Sequence, residues 1–240
     1  MTNPVPQTSN QWQFLPSTGE LGLNAFARIG IRRAELTEEH MQNLRVSANL
    51  LLADWSVDIP NLWTIDLQTQ VLSTGVGTYD VDPTTVAMLD TYISIDNGDG
   101  TTTDLIIYPI SRTEYASFPL KSQQGRPTVF WFDRLLSPTV TVWPEPDPST
   151  TYTLKYYRAV QFQDANFVNG QNAQIPPRFF EAFAAGLAAK LAWIYPPANQ
   201  LITPDKLQAL ADRAWQRASQ QDIETGTPLY IFPGLLGYYR

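Results

Sequence analysis

The chain has 240 residues, a formal net charge of −7, no cysteine and one histidine, with charged residues at 16% and aromatics at 12%. The lack of cysteine excludes disulfides, thiolate metal sites and a cysteine nucleophile, and a single histidine removes most metal and acid–base arrangements. With 16 basic residues against 23 acidic ones, the clustered cations that grip DNA by its phosphates are missing, although DNA can slide past such a surface; few charges beside many aromatics is a composition of interfaces.

Residues 1–17 begin MTNPVPQTSNQ, lack the basic start and apolar stretch of a signal peptide, and read as a flexible arm. No run reaches the about 20 apolar residues of a membrane helix. The spacing of Leu23, Phe26 and Ile29 predicts a helix over 20–29, closed by Gly30. Thr37 caps a second helix, followed by Glu38 and Glu39 at the positive end of its dipole. Met41, Leu44, Ala48, Leu51, Leu52 and Trp55 then recur at helical spacing, up to Asp58 before Pro60.

From residue 60 to 160 the period changes to two. Strands are predicted at 62–67, 71–74, 78–81, 92–95, 105–110, 129–132, 139–143 and 152–157, with one helical turn at 111–117. Turn chemistry separates them, as in Asn97-Gly98-Asp99-Gly100 and Pro144-Glu145-Pro146-Asp147-Pro148. Short strands at this spacing suggest a small sandwich or barrel rather than βαβ units. A polar loop over 161–174 leads to Pro176-Pro177, which open a third helix reaching Trp193. Phe180, Phe183, Leu187, Leu191 and Ile194 line its stripe, and alanines with Gly186 make its other faces small. Thr203-Pro204-Asp205 starts a fourth helix with Leu207, Leu210, Ala211, Ala214 and Ala218 inward, ending near Asp222. Helical segments 18–59 and 175–222 thus flank the strand-rich region.

The tail over 223–240 is apolar yet rich in Pro and Gly. An extended segment bearing Leu229, Tyr230, Ile231, Phe232, Pro233, Leu235, Leu236, Tyr238 and Tyr239 needs a surface to lie on, its own fold or a neighbour's.

Chemistry-bearing patterns are weak. Asp96-Asn97-Gly98-Asp99-Gly100 has glycine where a calcium loop needs oxygen ligands, and reads as a hairpin turn. Gly75-Val76-Gly77 lacks the third glycine of a dinucleotide loop, and there is no GxxxxGK[ST] or GxSxG. His40 reads as a solvated helix residue, Asp133 and Arg134 as a strand-end ion pair. Glu145 and Asp147 sit in a turn, not in the shielded pocket that a glycosidase acid requires. Arg28, Arg32 and Arg33 read as a solvated or inter-subunit salt-bridged face, or as contacts to phosphates in a DNA channel. No catalytic residue, cofactor or metal is expected.

The order of several landmarks resembles the head-to-tail adaptor (connector) family of podovirus-like phages. They are Ala25-Phe26-Ala27-Arg28-Ile29-Gly30-Ile31 before Leu36-Thr37-Glu38-Glu39; Asn49 to Trp55; Leu62-Trp63-Thr64 through Gly77-Thr78-Tyr79-Asp80-Val81; Gly125-Arg126-Pro127 through Val142-Trp143-Pro144-Glu145-Pro146-Asp147; Tyr152 to Arg158; and Ile175-Pro176-Pro177 with the alanine-rich helix. The likeness spans roughly residues 20–220 and leaves the arm and tail outside it. It implies an α+β fold: a bundle of four main helices with an antiparallel β-domain inserted between the second and third. It also implies a homo-oligomeric ring, usually dodecameric, beneath the portal protein, with DNA passing through its channel and tail nozzle or fibre proteins below. Such a protein belongs in the virion neck, assembled in the host cytoplasm and bound to no membrane. The tail residues Leu229 to Tyr239 are expected to bind the portal or a neighbouring subunit. A different tail subunit is the rival, but tube proteins are mostly β and lack the flanking helices. A carbohydrate-binding module would use Trp63, Trp131 and Trp143 as a platform.

Overall fold

The computed structural model describes residues 14–58, 62–167, 171–172, 174–199 and 201–220. Helix α1 (Thr18–Arg28) opens on a capping box: the Ser17 N–H donates to Glu20 Oε2 at 2.8 Å, and the Glu20 N–H donates back to Ser17 Oγ at 3.2 Å. Gly30, at φ +89°, follows its end in the left-handed conformation that a side chain resists. Helix α2 (Glu38–Asp58) is capped in an unusual way. Thr37 accepts from the His40 N–H at 3.4 Å, and the His40 ring Nδ1 accepts the Thr37 N–H at 3.2 Å. The imidazole occupies the place a Glu or Gln takes in an ordinary capping box.

After the strands, a 3₁₀ turn (Pro177–Phe179) leads into α4 (Phe180–Ile194), and Thr203 caps α5 (Pro204–Ser219) through the Lys206 N–H. A shorter helix, α3 (Arg112–Ser117), stands among the strands with its own Ser111–Glu114 capping box.

The expected bundle of four main helices with an antiparallel insert is not what the chain forms. Every residue of α4 from Ala182 to Ala189 is buried, and α1, α2 and α5 each pack on it, so the helices gather around one central helix. A helix apolar on all sides must be covered on all sides, and that forbids the one-stripe packing of a bundle. Strands outnumber helices, and they are not all antiparallel. Among the described residues there are ten: β1 (Ile65–Val71), β2 (Thr78–Asp80), β3 (Thr85–Asp96), β4 (Thr102–Ile106), β5 (Tyr108–Pro109), β6 (Gln124–Gly125), β7 (Val129–Asp133), β8 (Thr139–Trp143), β9 (Glu145–Pro146) and β10 (Tyr152–Val160).

One four-stranded sheet has the order β1-β10-β3-β4 and is antiparallel throughout; the other, β2-β8-β7-β5, contains a parallel β5–β7 pair. A third, two-stranded sheet joins β6 and β9 in parallel. The fold is α+β and mixed. The Asp96–Gly100 segment is the β3–β4 hairpin turn, with the Gly98 N–H donating to Asp96 Oδ1 at 2.8 Å.

Two apolar cores result. Ile93, Tyr152, Leu154 and Tyr156 of the first large sheet meet Phe130, Val140 and Val142 of the second, as the inward positions of period-two strands should. The other core joins Phe26, Leu44, Ala48, Leu51, Trp55, Phe183 and Leu187. Within it, α1 approaches α2 so closely that a Cβ at Gly22 would stand 2.4 Å from Leu44 Cδ2 and 3.1 Å from Phe167 Cε1. Gly22→Ala is therefore expected to lower stability by about 1 kcal/mol, despite the helix propensity it gains, because overpacking outweighs propensity. Gly19→Ala in the same helix, where the new Cβ meets only Ser17 Oγ at 3.8 Å, should be neutral or stabilising. Urea unfolding of the two variants checks the contrast.

Candidate interaction surfaces

The three arginines do not share one helix. Arg28 closes α1 and is paired within its own chain at the surface: its Nη1 and Nη2 donate to the two carboxylate oxygens of Glu181 on α4 at 2.8 and 2.7 Å, and its Nε donates to Asn24 at 2.7 Å. That bidentate pair holds the Glu181 carboxyl below its usual range. Arg32 and Arg33 lie beyond the Gly30 break, exposed at the start of a 3₁₀ turn (Arg33–Glu35). The tail positions Leu229, Tyr230, Ile231, Phe232, Pro233, Leu235, Leu236, Tyr238 and Tyr239 lie outside the described residues.

His40 is not a solvated helix residue. Its ring stacks on Tyr195 with centroids 4.5 Å apart and meets Phe26 edge-on at 5.6 Å, while Asn43 donates to the Tyr195 hydroxyl at 2.7 Å. The start of α2 is thereby pinned to the end of α4.

The strand tryptophans form no shared platform. Trp143 stacks on Phe118 at 4.1 Å and donates to the Leu120 carbonyl at 3.1 Å, and Trp131 lies against Tyr115 at 5.6 Å. Both are covered by α3 and the residues after it, and Lys121 closes that helix by donating to the carbonyls of Tyr115, Ala116 and Phe118. Trp63 sits elsewhere, 4.5 Å from Phe179 and beneath the Arg178 guanidinium.

The largest polar feature was missed from the sequence. Arg158 of β10 is buried, with its Nε 2.7 Å from Asp66 Oδ1, its Nη2 3.2 Å from Asp66 Oδ2 and its Nη1 3.0 Å from Thr85 Oγ1. Asp82 lies 3.5 Å from the same guanidinium. The hydrogen bond from Arg158 is the main cause that lowers the Asp66 pKa. The signal was present: Tyr152, Leu154, Tyr156 and Arg158 share the inward parity of one strand.

Exposed apolar side chains remain on the helices, Trp193 and Ile194 at the end of α4 among them, and two patches stand out. On α2, Val46 and Leu50 are 55% and 59% exposed. On the other flank, Leu201, Ile202, Leu207 and Leu210 line a groove over Ala185, with Arg28 and Lys206 at its rim. Among the described residues no group of histidines and carboxylates could hold a metal ion, and no helix is long and apolar enough to cross a membrane.

A model of the SU10 adaptor protein family matches residues 24–230, from within α1 past the end of α5. The chain belongs to that family. A search of curated proteins found no match. The SU10 adaptors are a phage head-to-tail adaptor family, so this chain is a phage structural protein of adaptor type. Membership carries with it dealings with portal and tail components and a place in the virion neck. The match runs about ten residues further than the sequence likeness suggested and takes in Leu229 and Tyr230 of the tail.

The buried arginine of this adaptor gives a pH-dependent test. Because the folded pKa of Asp66 is lowered, its contribution is present above the ordinary carboxylate range and is lost as pH falls through the depressed value. Asp66→Asn is expected to cost about 2 kcal/mol at neutral pH, less than a fully buried pair because Asp66 is half exposed. The gap between wild type and variant should narrow towards about pH 3. Urea unfolding at the two pH values measures it.

Proposed function

We propose that this adaptor is the repeating subunit of a closed ring beneath the portal, extending the DNA channel and carrying the tail nozzle or fibres below. The family match over residues 24–230 carries this reading. The composition supports it: an acidic chain with net charge −7 lets DNA pass without holding it. A cyclic assembly joins unlike surfaces of neighbouring copies, and a permanent one is large and apolar. A ring of twelve copies, built in the host cytoplasm and carried in the virion neck, is the form this reading takes.

In this proposal the tail residues Leu229, Tyr230, Ile231, Phe232, Pro233, Leu235, Leu236, Tyr238 and Tyr239 dock on the portal or on the adjacent subunit. Their apolar, Pro- and Gly-rich composition favours an extended ligand for a preformed surface. Arg32 and Arg33, exposed beyond the Gly30 break, face a neighbour or the channel, whereas Arg28 serves its own subunit through Glu181.

Mass measurement in solution, with and without purified portal rings, tests the reading. The expected outcome is a chain that is small alone and joins portal rings in stoichiometric number. Removing residues 228–240 should weaken that attachment at least tenfold while leaving the thermal unfolding of the free chain unchanged. Attachment that is unaffected by the deletion removes the tail from the proposal, and no association with portal at any ratio removes the ring.

A further inference from the structure

The two apolar patches on the helices differ in charge as well as in place. On α5, Lys206, Leu210, Arg213 and Arg217 recur every three to four residues, so they share one stripe, and all four are exposed. Asp205 and Asp212 fall on the far side of the helix, where Asp212 accepts from Gln208 at 2.8 Å. Arg213 and Arg217 form no ion pair among the described residues. Beside this basic stripe runs the groove floored by Ala185 and walled by Leu207 and Leu210, with Leu201 75% exposed at its edge.

On α2, Glu39, Gln42, Val46, Leu50 and Ala53 recur at the same spacing and are all exposed. Glu38 and Asp54 flank that stripe; Asp54 lies 3.7 Å from Lys190 of α4, and Arg45 lines the same hollow as Glu38 and Val46. With Glu38, Glu39 and Asp54 beside one arginine, this face is apolar with a net acidic border, and the other is apolar with a basic border.

We infer that the α2 stripe of one copy seats in the α4–α5 groove of the next, with Val46 and Leu50 against Leu207 and Leu210, and Glu38 and Glu39 towards the cations of α5. This rests on the ring reading and names the surfaces that make the joint. Pairing the α5 stripe with itself sets cations against cations, so the contact is heterologous and each copy keeps one face of each kind free to continue the chain. DNA is the poorer occupant, since a phosphate backbone meets the cations but leaves the exposed Leu201 and Leu210 uncovered. The chain's own tail is poorer as well. Its apolar run, residues 227–239, contains no charged side chain, and Asp222 and Glu224 before it are two carboxylates against the three cations Lys206, Arg213 and Arg217.

The cysteine-free sequence makes the test direct. Full-length V46C/L210C, treated with a short bis-maleimide, should give a ladder of covalent species beyond the dimer. V46C/L136C, with its second thiol at the fully exposed Leu136 among the strands, should give at least tenfold less. An equal mixture of V46C and L210C should stop at the covalent dimer. Reversing the α5 charges (K206E/R213E/R217E) in the double-cysteine chain should lower the ladder at least tenfold, and adding E38K/E39K should restore it.

No ladder from V46C/L210C, or one matched by V46C/L136C, overturns the inference. It also falls if the wild type retains duplex DNA, the charge-reversed chain does not, and no ladder forms. The groove belongs to the tail instead if Leu210→Cys becomes more reactive to maleimide when residues 228–240 are removed. Closed assemblies on portal without the V46C/L210C cross-link refute these surfaces and leave the ring. A ladder of open chains that never close on portal refutes the ring and leaves the joint.

Discussion

Between Ala182 and Ala189 helix α4 has no face to give to water, and most of the helical half of the molecule follows from that. Alanines and one glycine make it narrow, so three other helices can approach it at once. Gly186 is where α2 comes nearest, since a Cβ there would lie 2.8 Å from Leu51 Cδ2. The large side chains are supplied by the helices around it and by its own ends: Phe26, Leu44 and Trp55 from outside, Phe183 and Leu187 from within. A narrow centre with bulky surroundings packs to native density without long side chains competing for one axis. The ends of α4 are then fixed by polar and aromatic contacts. Arg28 holds Glu181 near its start, and His40 with Asn43 holds Tyr195 just past its finish.

The strand half solves a different problem. Two twisted sheets bury a common face, and a guanidinium on that face has to be satisfied completely or not placed there at all. Arg158 meets the requirement with oxygens from three segments: Asp66 on β1, Thr85 at the start of β3, and Asp82 just before it. A slip of one residue in β10 would turn Arg158 outward and Tyr157 inward, leaving Asp66 without its cation. The pair adds little net stability beyond what an apolar residue could supply, but it penalises wrong registers strongly. That matters here because β10 pairs irregularly with β3, with shifts between Tyr156 and Arg158 and again at Val160.

Local rules made much of this legible in the sequence, while partnership stayed hidden. The caps at Thr37 and Thr203, the stop at Gly30, the period-two strands and the hairpin at Asn97-Gly98 each depend on a few adjacent residues, and those were readable. The choice of a central helix was not. The alanine-rich character of α4 is visible, but a small-faced helix fits a bundle or a hub equally well until its neighbours are known, and the chain forms the hub. The parallel β5–β7 and β6–β9 pairs are two residues long, too short for any periodic signal. Arg28, Arg32 and Arg33 look alike in a string. Only Arg28 finds a carboxylate, because Glu181, 153 residues away, packs beside it. His40 reads as solvated for the same reason, since Tyr195 is distant in sequence and adjacent in space.

Assembly asks for something the two cores do not provide. A subunit that closes into a ring must expose apolar surface while free, yet stay soluble and only weakly associated until its template arrives. Two modest patches of opposite border charge meet that demand better than one large apolar face. Each joint alone is weak, because patches of this size leave little surplus after the entropy of association. Once neighbours are held side by side, the second contact is made at high effective concentration, and closure adds a joint without adding a subunit. In the proposed ring the charged borders would set polarity, since only the α2-to-α5 order brings acid to base. On this view the low overall charge and the high aromatic content have separate origins. Aromatics fill the two cores and fasten the helix ends, while the charges divide between pairs inside the subunit, such as Arg28–Glu181 and Arg158–Asp66, and the borders proposed to order the copies.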